Sequence, residues 1–163
     1  NLWNAFMDFA PDSIVCAENK LISFKAGKMY SHDNTNTYCN YYGIQNKPSI
    51  TLVKNDNPLV GKSWQAISEI ANVVWVSPLI YTNTDSYVGQ RQESNLVEGD
   101  FAKQESDFNA VFLNDIHSIG GIGSGDYLKG TLLVIKLETV DGSKFAYLAN
   151  APVRYSVSSR LNK

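Results

Sequence analysis

Short runs of alternating apolar and polar residues, broken by turn residues, make up most of this chain and predict strands rather than helices. Ser13 to Ala17, Leu21 to Lys25 and Lys28 to Ser31 read as strands, with Ala26-Gly27 as the tight connection of a hairpin. Asp33 to Asn40 is polar and reads as a loop. Ile50-Thr51-Leu52-Val53-Lys54 alternates as a further strand, opened by Pro48-Ser49 and closed by Asn55-Asp56-Asn57-Pro58. Trp64 to Ile70 mixes helical and strand spacing, so both readings stay open there. Asn72 to Tyr81 carries the β-branched and aromatic run Val73-Val74-Trp75-Val76 and reads as a strand, with Pro78 putting its far end at an edge or a bend.

Thr82 to Asp100 lacks periodicity and reads as a long loop or an extended arm. Phe101 to Leu113 is the best helix candidate, because Phe101, Phe108 and Phe112 approximate i, i+7, i+11 with Glu105 and Asp107 between them. The alternative is an extended segment crossing a neighbour. Ser118 to Asp126 concentrates Gly120, Gly121, Gly123 and Gly125 in a turning loop. Tyr127 to Val140 and Phe145 to Leu148 flank Asp141-Gly142, a type I′ turn signal, and are expected to pair as a hairpin. Val153 to Ser158 alternates as a last strand. No repeat, linker or charge block divides residues 1–163, so the expectation is one mainly-β domain, a sandwich or barrel, with at most one short helix near 101–113.

Composition supports this picture. A chain of 163 residues with 44% hydrophobic and 12% aromatic residues can bury a core unaided, and its aromatics suit a pleated surface. The formal charge of −2 supplies no basic field for a phosphate backbone, so nucleic acid is not an expected partner. The longest apolar runs fall well short of the ~20 residues of a membrane helix, so no membrane partner is expected either. The start at Asn1, without Met or a signal-like segment, reads as a piece of a longer polypeptide. Cys16 and Cys39 allow one disulfide or none, and their isolation suits a reducing compartment.

Candidate chemistry is sparse. Gly61-Lys62-Ser63 matches the end of a phosphate-binding loop, but Asp56 stands where that loop needs Gly, so a structural turn is the better reading. The glycine loop from Ile119 to Asp126 precedes a strand, not the helix that a dinucleotide site requires, and reads as a connecting loop that orders against a partner. His32 and His117 with Cys39 are the only combination that approaches a zinc set, and no cofactor or metal is expected from it. No Gly-x-Ser-x-Gly nucleophile turn occurs, and the carboxylate pairs Glu98 with Asp100 and Glu105 with Asp107 read as solvated loop charges, so the chain is expected not to be an enzyme. Tyr38, Tyr41, Tyr42, Trp3, Trp64 and Trp75 are either core rings or an aromatic platform for a glycan or a protein.

The amino-terminal third also carries a pattern. Trp3-x-x-Phe6, Pro11, the stretch from Asn19 to Asn34, Asn40-Tyr41-Tyr42-Gly43 and Pro48-Ser49-Ile50-Thr51-Leu52-Val53 with Asn55 resemble, in order and spacing, large tail-associated virion proteins. These are the muzzle or stabilising-ring proteins of short-tailed phages of Bacteroidales, including crAss-like phages. Past residue 55 only Asn57-Pro58, Lys62 and the stretch from Asp126 to Thr131 are similar to the later part of the pattern. Cys39 and Tyr41 depart from it, standing where Arg and Phe are expected. The resemblance implies a non-catalytic structural module of a phage tail, assembled in the bacterial host cytoplasm and located in the virion. It further implies protein–protein contacts with other virion proteins and a symmetric homo-oligomer through the parent protein. Tyr41, Tyr42, Trp64, Trp75, Gly120, Gly121, Gly123 and Gly125 are the candidate interaction residues, and a carbohydrate- or receptor-binding module contacting a surface glycan is the alternative.

Overall fold

Tight turns with paired positive φ values set the architecture of the amino-terminal region. Glu18-Asn19 (φ 49° and 63°), Ala26-Gly27 (50° and 73°) and Tyr42-Gly43 (56° and 83°) each close a two-residue hairpin of type I′ sign. Its right-handed twist matches the flanking strands, so each turn commits the next run to antiparallel pairing. The computed structural model describes residues 9–32, 38–83, 91–113 and 127–158. The chain divides into two compact units: Asn1–Asn46 with Gly142–Phe145, and Lys47–Asp141 with Ala146–Lys163.

In the first unit β1 (Ser13–Ala17), β2 (Lys20–Lys25) and β3 (Lys28–Ser31) form an antiparallel sheet in that order. A small hairpin of β4 (Asn40–Tyr41) and β5 (Ile44–Gln45) follows. The three expected strands and the Ala26-Gly27 connection are all present.

The second unit is built from two open antiparallel sheets that share one hydrophobic core, which is a sandwich arrangement. The first sheet orders β6 (Ser49–Lys54), β13 (Leu133–Thr139), β8 (Trp75–Thr82) and β9 (Glu93–Leu96) side by side. The second is organised on the ten-residue strand β7 (Lys62–Ala71), which resolves the ambiguous Trp64 segment as strand. β11 (Asp107–Val111) and β15 (Val153–Val157) both pair with Ala66 and Ile67 of β7, so they occupy its opposite edges. By the same overlap, β12 (Lys129–Gly130) joins the β11 edge and β14 (Leu148–Asn150) the β15 edge. β10 (Ala102–Gln104) lies outside β11. Lys62, Trp64, Ile67, Glu69 and Ala71 of β7 face inward, and the phase change between Trp64 and Ile67 coincides with the register shift opposite Arg154-Tyr155.

Three sequence expectations fail here, each for a visible reason. Phe101 to Leu113 is not a helix: its residues form β10 and β11, joined at Glu105-Ser106, with Phe108, Ala110 and Phe112 buried at strand spacing. The Thr82 to Asp100 segment contains β9 and a 3-10 turn at Glu98–Asp100 rather than loop alone. Asp141-Gly142 does not close a hairpin. β13 already has β6 and β8 on its two sides, so the returning chain pairs as β14 with β7 of the other sheet. Neither turn residue takes a positive φ. Pro78 sits within a strand flanked on both sides, and the registers to β13 and to β9 both slip beside it. The ladder therefore accommodates the donor that proline lacks.

Candidate functional site

The three-stranded sheet of the first unit has two unlike faces, and the register sorts them. Ile14, Ser23 and Tyr30 lie side by side on one face, while Val15 opposes Ile22 and Phe24 opposes Met29 on the other. On the first face Ser23 is fully buried. Its Oγ lies 2.7 Å from His32 Nε2 and 2.9 Å from Tyr42 Oη. His32 reaches this position because its amide extends the β3 ladder to the Leu21 carbonyl. Tyr42 reaches it from the tip of the β4–β5 turn, where its ring also meets Tyr30 edge-on at 4.7 Å. Phe9 stacks on His32 at 5.1 Å and on Tyr41 at 4.7 Å. The candidates Tyr41 and Tyr42 thus belong to one half-buried ring cluster.

A Ser–His separation of 2.7 Å is within reach for general-base activation of a hydroxyl. Ser23 has no exposed surface through which an electrophile could approach, and its oxygen is already engaged by two partners. The arrangement therefore fastens the β4–β5 hairpin to the sheet rather than presenting a nucleophile. Cys39, at φ 52° beside this hairpin, has its thiol pushed up by burial, and both cysteines are free.

The opposite face is different. Val15, Phe24 and Met29 are 44%, 37% and 69% exposed, and Ile22 lies among them half-buried. These are two adjacent cross-strand apolar pairs on one face of the sheet. The strand readings over Ser13 to Ser31 assign no faces, so this site is not among the sequence candidates. The signal was the presence of apolar residues on both phases of the strand.

The other candidates are distributed. Trp64 and Trp75 are core residues, 0% and 7% exposed, so they contribute to packing and not to an outer platform. Tyr38 pairs with Phe145 at 5.5 Å within the first unit. Gly120, Gly121, Gly123, Gly125, Asp115 and His117 lie outside the described residues, as does Trp3. Among the described residues no three His, Cys, Asp or Glu side chains gather as a metal set, and no helix is long and apolar enough to cross a membrane.

Two charged groups are buried in the second unit. Lys62, at the start of β7 and not in a turn, donates from Nζ to the carbonyls of Thr131 (2.7 Å) and Asn57 (3.0 Å). The same amine lies 5.4 Å from the Trp64 ring and 5.6 Å from the Tyr155 ring. Burial lowers its pKa, opposed by nearby Asp56. An amine engaged in this way is a strut between two loops, not a phosphate ligand. Glu69 is fully buried, and burial pushes its carboxyl up to about 7 although its Oε2 accepts the Trp75 amide at 3.0 Å. No protein-family model matches the chain, and no curated protein matches it in sequence.

Proposed function

We propose that the chain is a non-catalytic structural and interaction module of a phage virion tail, docking onto neighbouring virion proteins by protein–protein contact. The observation that carries this reading is the open apolar face formed by Val15, Ile22, Phe24 and Met29. It lies within the stretch of residues 3 to 55 whose order and spacing resemble tail-associated proteins. On the sheet's other face Ser23 is covered by His32 and Tyr42, which fastens the β4–β5 hairpin there and leaves the Val15, Ile22, Phe24 and Met29 face to a partner.

The test has two arms. Negative-stain images of purified virions labelled with an antibody to this chain are expected to show label at the tail, and absence of the chain from intact particles would refute the reading. The double substitution Phe24→Ser and Met29→Ser alters only exposed side chains, so the far-UV circular dichroism should be unchanged while incorporation into the tail is lost. Normal incorporation of that variant would remove the open face as the docking surface.

A further inference from the structure

The outward face of the β7 sheet carries a groove of about 670 Å³, within the range of about 300–1,000 Å³ usual for small-molecule sites. Strand register accounts for its shape. Ala102, Asn109 and Ser68 stand side by side across β10, β11 and β7, and Val111, Ala66 and Arg154 form the adjacent row across β11, β7 and β15. Alternation turns these positions of β7 and β11 away from the core. Small side chains at Ala66, Ser68 and Ala102 make the floor, and the longer Gln104, Val111 and Arg154 make the walls.

We infer that this groove binds a carboxylate-bearing saccharide. Among the described residues its polar side chains are one hydroxyl (Ser68), two amides (Gln104 and Asn109) and one guanidinium (Arg154), with no carboxylate in the lining. Hydroxyls and amides each donate and accept, which suits the neighbouring hydroxyl groups of a sugar ring. A guanidinium pairs in bidentate fashion with a carboxylate. The methyl floor meets the C–H face of the ring.

A peptide fits less well. The groove crosses the strands, and the backbone groups of β7 and β11 beneath it are committed to the ladders, so strand addition is left to the outer edge of β10 at the groove's margin and not to its floor. A single cation in a chain of formal charge −2 does not hold a nucleic-acid backbone. The inference is independent of the tail reading, since it concerns a different unit and a different surface.

The experiment is a titration of the ¹⁵N-labelled 163-residue chain with trigalacturonic acid, its methyl ester, 3′-sialyllactose and an acidic hexapeptide, followed by amide chemical shifts. At least one acidic sugar is expected to move the resonances of Ala66, Ser68, Ala102, Asn109 and Arg154 saturably. The methyl ester should bind roughly tenfold more weakly than trigalacturonic acid where that acid binds, the loss expected for a charge-assisted pair. Arg154 is exposed, so Arg154→Ala should keep the fold and lose about tenfold for the acid but not for the ester. Ala102→Leu, on the exposed edge strand, should block acid and ester alike. No saturable shift with either acidic sugar, equal affinity for acid and ester, shifts mapping elsewhere, or tighter binding of the hexapeptide would each overturn the inference.

Discussion

Glu69 makes folding of this chain depend on pH in a direction opposite to that of ordinary surface carboxylates. The side chain has no exposed surface, its Oε1 has no hydrogen-bond partner among the described residues, and burial is the dominant cause of its raised pKa. A folded value of about 7 against an ordinary 4.5 is a gap of 2.5 units. At about 1.4 kcal/mol per unit this corresponds to about 3 kcal/mol. Because the folded pKa is raised, the neutral form is the one the fold favours. Its contribution is complete below pH 4.5 and is lost as pH rises through 7. Glu69→Gln keeps an oxygen to accept the Trp75 amide and cannot ionise. Urea unfolding followed by tryptophan fluorescence, at steps from pH 4.5 to 8, should therefore show the variant gaining on the wild type by about 3 kcal/mol across that span. Parallel stability curves for the two proteins, or a gap that widens toward low pH, would refute the reasoning.

Further perturbations test other parts of the fold. A Cβ built on Gly130 would collide with Asn83 Oδ1, the acceptor of the Thr131 and Leu132 amides, so Gly130→Ala should destabilise the second unit by about 1–3 kcal/mol in the same unfolding assay. Lys62→Met leaves the Asn57 and Thr131 carbonyls without their buried donor and should cost about 2–3 kcal/mol; a neutral result would show that the amine is not a strut. Ala26 holds φ 50° in a type I′ turn, where a Cβ is strained, so Ala26→Gly should raise stability by about 0.5–1 kcal/mol, measured as a shift in urea midpoint. Ser23→Ala removes the hydroxyl shared by His32 and Tyr42 and should destabilise the first unit by about 1–3 kcal/mol, read from hydrogen exchange of β2 and β3 amides.

What could be read from the sequence was local, and what could not depended on which strands become neighbours. The Ala26-Gly27 hairpin was legible because a two-residue turn and its flanking strands lie within a dozen positions and specify each other. Asp141-Gly142 carries a stronger turn signal and still fails, because the space beside β13 is taken by β6 and β8, strands that come from 50 to 90 residues earlier. A turn propensity worth at most a few kcal/mol does not displace two complete ladders. Phe108 and Phe112 show the other limit: a spacing of four is one turn of helix and also two strand repeats, so the pair alone cannot decide, and Ala110 between them settles it only once its burial is seen. The open face of Val15, Ile22, Phe24 and Met29 follows the same rule. Apolar residues occupy both phases of β2, and the sequence does not state that Ser23 receives its cover from Tyr42 while Phe24 stays exposed. Covering such a pair would contribute about 25 cal/mol for each Å² removed from water, and under the function proposed here that gain comes from a docked partner.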